Sequence, residues 1–375
     1  MLSRAAESLY WMARYLERAE NTARLINATQ QLLLDLPQGA SVGWQALTSI
    51  VGLGRLFEQS YARPDEASVV DFLVSSPRNP GSIQSCIRFA RENCRTMRDV
   101  LPRDLWQRVN TLYLASKRYS QPGIPRQERR RMLEELISDR QAVSGVLATC
   151  MSHDVAWEFI GLGEHLERAD MTSRILDIQA AILMPRQAAT DPALALLWVG
   201  VLNSLSALQM FRRHAAGGGA GNSGINAQSV LHYLVHDMHF PRSVAFCLDA
   251  IESHLAELPH NAEPLRALRT ARRRADGGVE VSRDPARRHE FLDDIQTDLA
   301  RIHDAIAREY FHLHERDAMP PSGSKGEPLK HVDPGRTEPH HPLPVRPAGQ
   351  AGSAAGQAAA GATQSFANTL VFAAC

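Results

Sequence analysis

Acids and arginines recur with one spacing at two places in the chain, YLERAENTARL (15–25) and HLERADMTSRI (165–175). Carboxylates kept beside an apolar boundary can have their pKa raised toward neutrality, which suits them to proton transfer. Arginines next to them can hold a carboxylate through paired N–H groups. Projected on a helix, Glu17, Glu20 and Arg24 form a strip at i, i+3 and i+7 along the edge of the apolar arc. Glu167, Asp170 and Arg174 repeat that strip. Glu20 with Arg24 and Asp170 with Arg174 are also i,i+4 acid-to-base pairs, worth about 0.2–0.5 kcal/mol each if exposed. Pairs that weak give little reason for two diverged segments to keep the same charges. Half-buried pairs do, because removing one partner strands the other at a cost of about 3–5 kcal/mol.

The strips admit three readings. The first is an inter-helix salt-bridge network that fixes helix register. The second is a polar cleft at a pseudo-two-fold axis, holding a ligand or a partner's tail. If that cleft is catalytic, Glu17, Glu20, Glu167 and Asp170 are the acid–base candidates, with Arg24 and Arg174 orienting a carboxylate. The third is a carboxylate-bridged metal site; bundle sites of that kind use Glu-x-x-His pairs, and no His follows these acids by three. No metal ligand or cofactor is therefore assigned.

Other chemistry-bearing residues read more plainly. His232, His236 and His239 have ligand-like spacing, but Asp71, Ser75 and Arg78 stand at the matching first-half positions, so a solvent-facing turn is the simpler reading. GGGAGNSG (217–224) lacks the Gly-Lys-Ser/Thr ending of a phosphate loop and reads as a flexible insertion. Ser82 and Ser243 stand outside any Gly-x-Ser-x-Gly elbow and suit helix caps. Cys86 and Cys247 lie on apolar faces and read as buried thiols, and Tyr10, Trp11, Trp44, Trp157 and Trp198 as packing residues.

The elements that must position the strips are helices. Leu2, Ala5, Leu9, Met12, Leu16, Ala19, Ala23, Ile26 and Leu34 share one arc, and no convincing alternating strand appears. Periodicity and breakers predict helices over 3–35, 41–61, 66–75, 80–100, 104–120, 125–149, 151–184, 191–215, 226–236, 241–257, 262–275 and 286–316. Leu16–Asn27 and Leu166–Asp177 are identical at six of twelve positions. Trp44/Trp198, Phe57/Phe211, Pro80/Pro241, Ser82/Ser243 and Cys86/Cys247 then follow in the same order. Collinear landmarks of this kind indicate a duplication. The expected fold is all-α, a large helical bundle of two tandem repeats with pseudo-two-fold symmetry: 1–150, 151–316, and a disordered low-complexity tail over 317–375.

Formal net charge is zero over 375 residues and the pI is about 7.3, which gives no global field for nucleic acid or an anionic membrane. Five cysteines without a CxxC spacing argue against a disulfide framework and for a reducing compartment. The charged N-terminus carries no signal-peptide core, and no apolar run approaches the roughly 20 residues that span a bilayer. A cytoplasmic location is expected, and self-association is compatible with the sequence.

SLYWMARYLERAENTARL, LGEHLERADMTSRILD and FPRSVAFCL together resemble the bacterial alpha-E domain family over about residues 1–316. The resemblance implies an all-helical domain with acid-and-arginine motifs. In this chain the matching positions are Glu7, Arg14, Glu17, Arg18, Glu20, Arg24, Glu167, Arg168, Asp170 and Arg174. Glu164 stands opposite Arg14 in the second copy, so that position is not symmetric. The resemblance also implies company: a circularly permuted ATP-grasp protein and a transglutaminase-like cysteine protease, as in a system that forms and hydrolyses amide bonds. An accessory subunit that binds those proteins or their peptide product is the function it implies, with a carboxylate enzyme as the alternative.

Overall fold

The apolar periodicity of the chain resolves into helices and nothing else: a computed structural model describes residues 3–36, 43–120, 124–183, 192–217, 224–278 and 285–311, and contains no strand among them. The first half runs α1 (Ser3–Asp35), α2 (Gln45–Ile50), α3 (Gly54–Ser60), α4 (Glu66–Val74), α5 (Ile83–Thr96), α6 (Arg103–Ser116), a 3₁₀ turn (Lys117–Ser120) and α7 (Arg126–Cys150). The second runs α8 (Val155–Leu183), α9 (Pro192–Ser204), α10 (Leu208–Ala216), α11 (Ala227–His236), α12 (Val244–Ala256), α13 (Ala262–Gly277) and α14 (Pro285–Tyr310). The expected tail over 317–375 and residues 218–223 of the Gly-rich run lie outside the described residues.

Two expected helices are each split. The stretch 41–61 is α2 and α3, and 191–215 is α9 and α10. The break has one geometry in both halves. Gly52 (φ 73°) and Ser206 (φ 53°) turn left-handed. The Gly52 amide donates to the Ser49 carbonyl and the Leu53 amide to the Thr48 carbonyl, and Ser206 with Asn203 and Ala207 with Leu202 do the same. This pattern closes the free carbonyls of a helix end and reverses the chain. Glycine takes that conformation without penalty, whereas Ser206 takes it against the usual preference.

α1 and α8 cross at the centre. Each packs on the later helices of its own half, α1 on α5 and α7, α8 on α12 and α14, and each reaches into the other half, α1 to α9 and α8 to α2. The crossing is close because small residues meet there. A Cβ on Gly163 would lie 2.3 Å from the Tyr10 carbonyl oxygen and 3.3 Å from the Ala13 Cβ. Around it Leu9, Leu16, Ile26, Leu166, Ile175 and Leu176 are buried, as are Tyr10, Trp11, Trp44 and Trp198. Trp157 is half-buried and stacks on His153 at 4.0 Å. Ser82 and Ser243 cap α5 and α12 by accepting from the Ser85 and Phe246 amides. The thiols of Cys86 and Cys247 are buried one turn on and point at the Pro80 and Pro241 carbonyls. Among the described residues no single helix is long and apolar enough to cross a membrane.

Candidate functional site

Side chains on the facing surfaces of α1 and α8 form an ionic core. The Arg18 guanidinium donates from Nε and Nη2 to the two oxygens of Glu167, at 2.6 and 2.8 Å. Arg168 donates from the same two nitrogens to the two oxygens of Glu17, at 3.1 and 3.0 Å. Neighbours in sequence on one helix thus exchange partners with the equivalent neighbours on the other. Such two-point fork contacts are the strong, direction-fixing kind of ion pair. Glu17 and Glu167 are 0 % and 1 % exposed, so these pairs lie in the interior.

Further arginines close around them. Arg14, 1 % exposed, donates from Nε to Glu167 at 2.8 Å and lies over the Trp11 ring. Arg242, just before α12, donates to Glu17 at 2.9 Å, Glu20 at 2.8 Å and Asn21 at 2.6 Å. Arg140 of α7 reaches Glu164 at 3.0 Å and Glu17 at 3.4 Å, and Arg168 also pairs with Glu164. The two i,i+4 pairs form as well, Arg24 with Glu20 at 2.6 Å and Arg174 with Asp170 at 2.9 Å. Their arginines touch the left-handed turns of the opposite half. Arg24 Nη1 donates to Ser206 Oγ, and a Cβ on Gly52 would lie 3.0 Å from Arg174 Nη1. Of the ten motif positions, the structure brings nine into this core. Glu7 sits ten residues before Glu17 on the same helix, about 15 Å along its axis.

The electrostatics follow from the excess of guanidinium groups. Burial alone would raise the Glu17 carboxyl, but Arg168, Arg242 and Arg140 outweigh it and hold the group far below the usual carboxylate range. Burial likewise pushes Glu167 and Glu164 up, and their arginines more than reverse it, to about 2 in each case. Burial drives the other way on the neutral groups nearby: Cys86, Cys247 and Tyr10 rise to about 12, and His165 falls to about 4. Glu17, Glu164 and Glu167 are therefore permanently ionised at neutral pH, and the thiols permanently protonated. These charges tie α1, α7 and α8 together, with Glu17, Glu164 and Glu167 as carboxylates and Cys86 and Cys247 as thiols.

Arg140, Arg242, Glu164 and Asn21 were not among the expected residues. Arg140 carries a signal in hindsight, since it interrupts the apolar period Leu133, Leu136, Val143, Leu147 of α7. A charge on a buried stripe needs a buried counter-charge. Arg242 has no such signal, because Gly81 is its counterpart in the first half. The histidines of α11 do not assemble: the His232 and His236 rings are 5.1 Å apart, and among the described residues no group of three or more His, Cys, Asp or Glu could hold a metal ion. A surface cleft of about 450 Å³ lies apart from the ionic core, lined by Ser60, Tyr61, Asp71, Ser75, Ser76, Pro77 and Arg78.

Comparison with known proteins agrees with this picture. Residues 1–311 match the model of the Alpha-E family, described as a predicted alpha-helical domain with a conserved ER motif. An uncharacterized protein of Mycobacterium bovis and two of Mycobacterium tuberculosis are each 25 % identical over 277 residues. The match covers 68 % of this chain and 30 % of each of those proteins, so the chain spans about a third of the length of the curated relatives it matches. No solved structure matches. Glu17-Arg18 and Glu167-Arg168, two of the Glu-Arg pairs in this sequence, are the residues that exchange partners across the central crossing, and the chain belongs to the Alpha-E family.

Proposed function

We propose that the protein is an accessory helical subunit without chemistry of its own. Its partners would be the circularly permuted ATP-grasp protein and the transglutaminase-like protease of an amide-bond modification system, or the peptide product of that system. The observation that carries the non-catalytic part is the state of the acids. Glu17 and Glu167 are buried, forked to arginines and held far below the range in which a carboxyl exchanges protons at neutral pH. An enzyme that used Glu17 or Glu167 as its acid or base would need that carboxyl free to give and take a proton. The accessory part is supported by the relatives, in which the matched region is under a third of a longer polypeptide, as expected of a module that works beside others. The partner identities rest on the family resemblance.

The test is capture of the tagged full chain from its native cell in gentle salt, followed by identification of what co-purifies. The ATP-grasp protein or the protease should be recovered. Repeated recovery of neither overturns the partner assignment. Turnover of an amide-bonded substrate by the purified chain, abolished by Glu20→Gln, would overturn the non-catalytic assignment instead.

A further inference from the structure

The exposed side of α5 and α6 is basic and aromatic in a regular pattern. Between Ile83 and Ser120 the chain holds eight Lys and Arg against three Asp and Glu, although the whole protein is neutral. Arg88, Arg91, Arg95 and Arg98 fall at i, i+3, i+7 and i+10, one stripe about 15 Å long down and just past α5. Trp106 and Tyr113 of α6 lie alongside. Arg98 sits 4.8 Å from the Trp106 ring centroid, Arg91 5.3 Å from Trp106 and 4.7 Å from Tyr113, and Lys117 5.0 Å from Tyr113. Arg98 and Lys117 are thus held by ring faces rather than by carboxylates, a contact that leaves their N–H groups able to donate, whereas Arg91 also donates to Asn110 Oδ1 at 2.8 Å and to Glu92.

The second half treats the same positions in the opposite way. Asp249 and Glu252 of α12 stand where Arg88 and Arg91 stand in α5, and Arg272 of α13 pairs with both, with Asp249 at 2.8 Å. That face neutralises itself. On the α5 face the one acid in the stripe, Glu92, takes Arg91 Nη1 at 2.6 Å on one oxygen and Arg95 Nε at 2.8 Å on the other. Among the described residues Arg88, Arg98 and Lys117 have no such acid.

We infer that the α5–α6 face is a docking surface for an acidic peptide segment whose carboxylates seat between successive arginines as Glu92 does. Spacing supports this occupant: arginines three and four residues apart on a helix lie about 4.5–6 Å apart along it, close to the roughly 6.6 Å between same-side residues of an extended chain. Single-stranded nucleic acid fits less well, because it would stack bases on Trp106 and Tyr113, whose faces the guanidinium groups already cover. This inference does not depend on the partners proposed above.

The test uses the full chain and a fluorescent oligoglutamate peptide, with its glutamine counterpart, an oligouridylate and phosphatidylserine vesicles as comparators. The glutamate peptide should bind, lose at least tenfold in affinity between about 50 mM and 500 mM salt, and lose a similar factor in Arg88→Glu/Arg98→Glu. Both residues are exposed, so the variant should melt as the parent does. Equal binding of the glutamine peptide, tighter binding of the RNA or the vesicles, or an unchanged affinity in a folded variant would overturn the inference. The wild-type comparisons decide the matter by themselves if the variant fails to fold.

Discussion

Glu167 offers the sharpest perturbation of the ionic core. It accepts three hydrogen bonds, one from Arg14 and two from Arg18, and is 1 % exposed. Glu167→Gln keeps the shape, removes the charge and turns an amide donor toward guanidinium donors. Arg14 then stays buried and Arg18 half-buried without the carboxylate that pairs them, and each already has one side-chain nitrogen, Nη2 and Nη1, without a hydrogen-bond partner. Breaking a buried pair in this way costs about 3–5 kcal/mol. At about 2 °C per kcal/mol for a body of this size, the melting temperature should fall by about 6–10 °C. Linkage gives a second route to the magnitude. A carboxyl held at about 2 in the folded chain against an ordinary 4.5 contributes about 3 kcal/mol through its charge. That contribution is fully present above pH 4.5 and is lost as the pH falls toward 2. Denaturant melts followed by helical circular dichroism should therefore show a wide gap between parent and variant at pH 7. The gap should narrow below pH 4.5 and nearly close at about 2. A gap under about 1 kcal/mol at pH 7, or one that stays constant down to pH 3, refutes the view that the charge itself carries the effect.

Three further outcomes follow from the same structure. Glu20→Gln with Asp170→Asn should lower the melting temperature while leaving function in the cell intact, and loss of function in a folded double variant would restore the enzyme reading. Gly163→Ala should destabilise by about 1–3 kcal/mol, because its methyl meets the Tyr10 backbone rather than a movable side chain; an unchanged unfolding midpoint would mean that α1 and α8 do not cross there. With Cys375 replaced by serine, an aromatic disulfide reagent should modify Cys150 at once and Cys86, Cys94 and Cys247 only on unfolding. Fast reaction of more than one thiol in the native protein would contradict the burial of Cys86, Cys94 and Cys247.

The long helices were legible because their periodicity runs unbroken; α1 spans the residues expected of it, Ser3–Asp35. The split between α9 and α10 was not, since Ser206 bears no turn signature and takes its left-handed conformation against the usual preference of a residue with a side chain. The charged strips were recognisable as strips, with the right acids at the edge of the apolar arc. Their partners were harder to read. A single helix projection shows which residues share a face and says nothing of the face opposite, so the exchange between Glu17-Arg18 and Glu167-Arg168 becomes visible only when two helices are placed together. Arg242 is the extreme case: it lies outside both long helices and replaces a glycine in the other half, so no internal comparison points to it.

The exchange has a consequence for how such a body could arise. Both members of it, an acid and the arginine beside it, are present on α1 alone. A chain ending near residue 150 would carry a donor and an acceptor whose natural complements are an acceptor and a donor on another identical chain, which is the condition for a two-fold homodimer. Were two such chains joined end to end, an association that depends on concentration would become one that does not, and each half would be free to change wherever it does not touch the other.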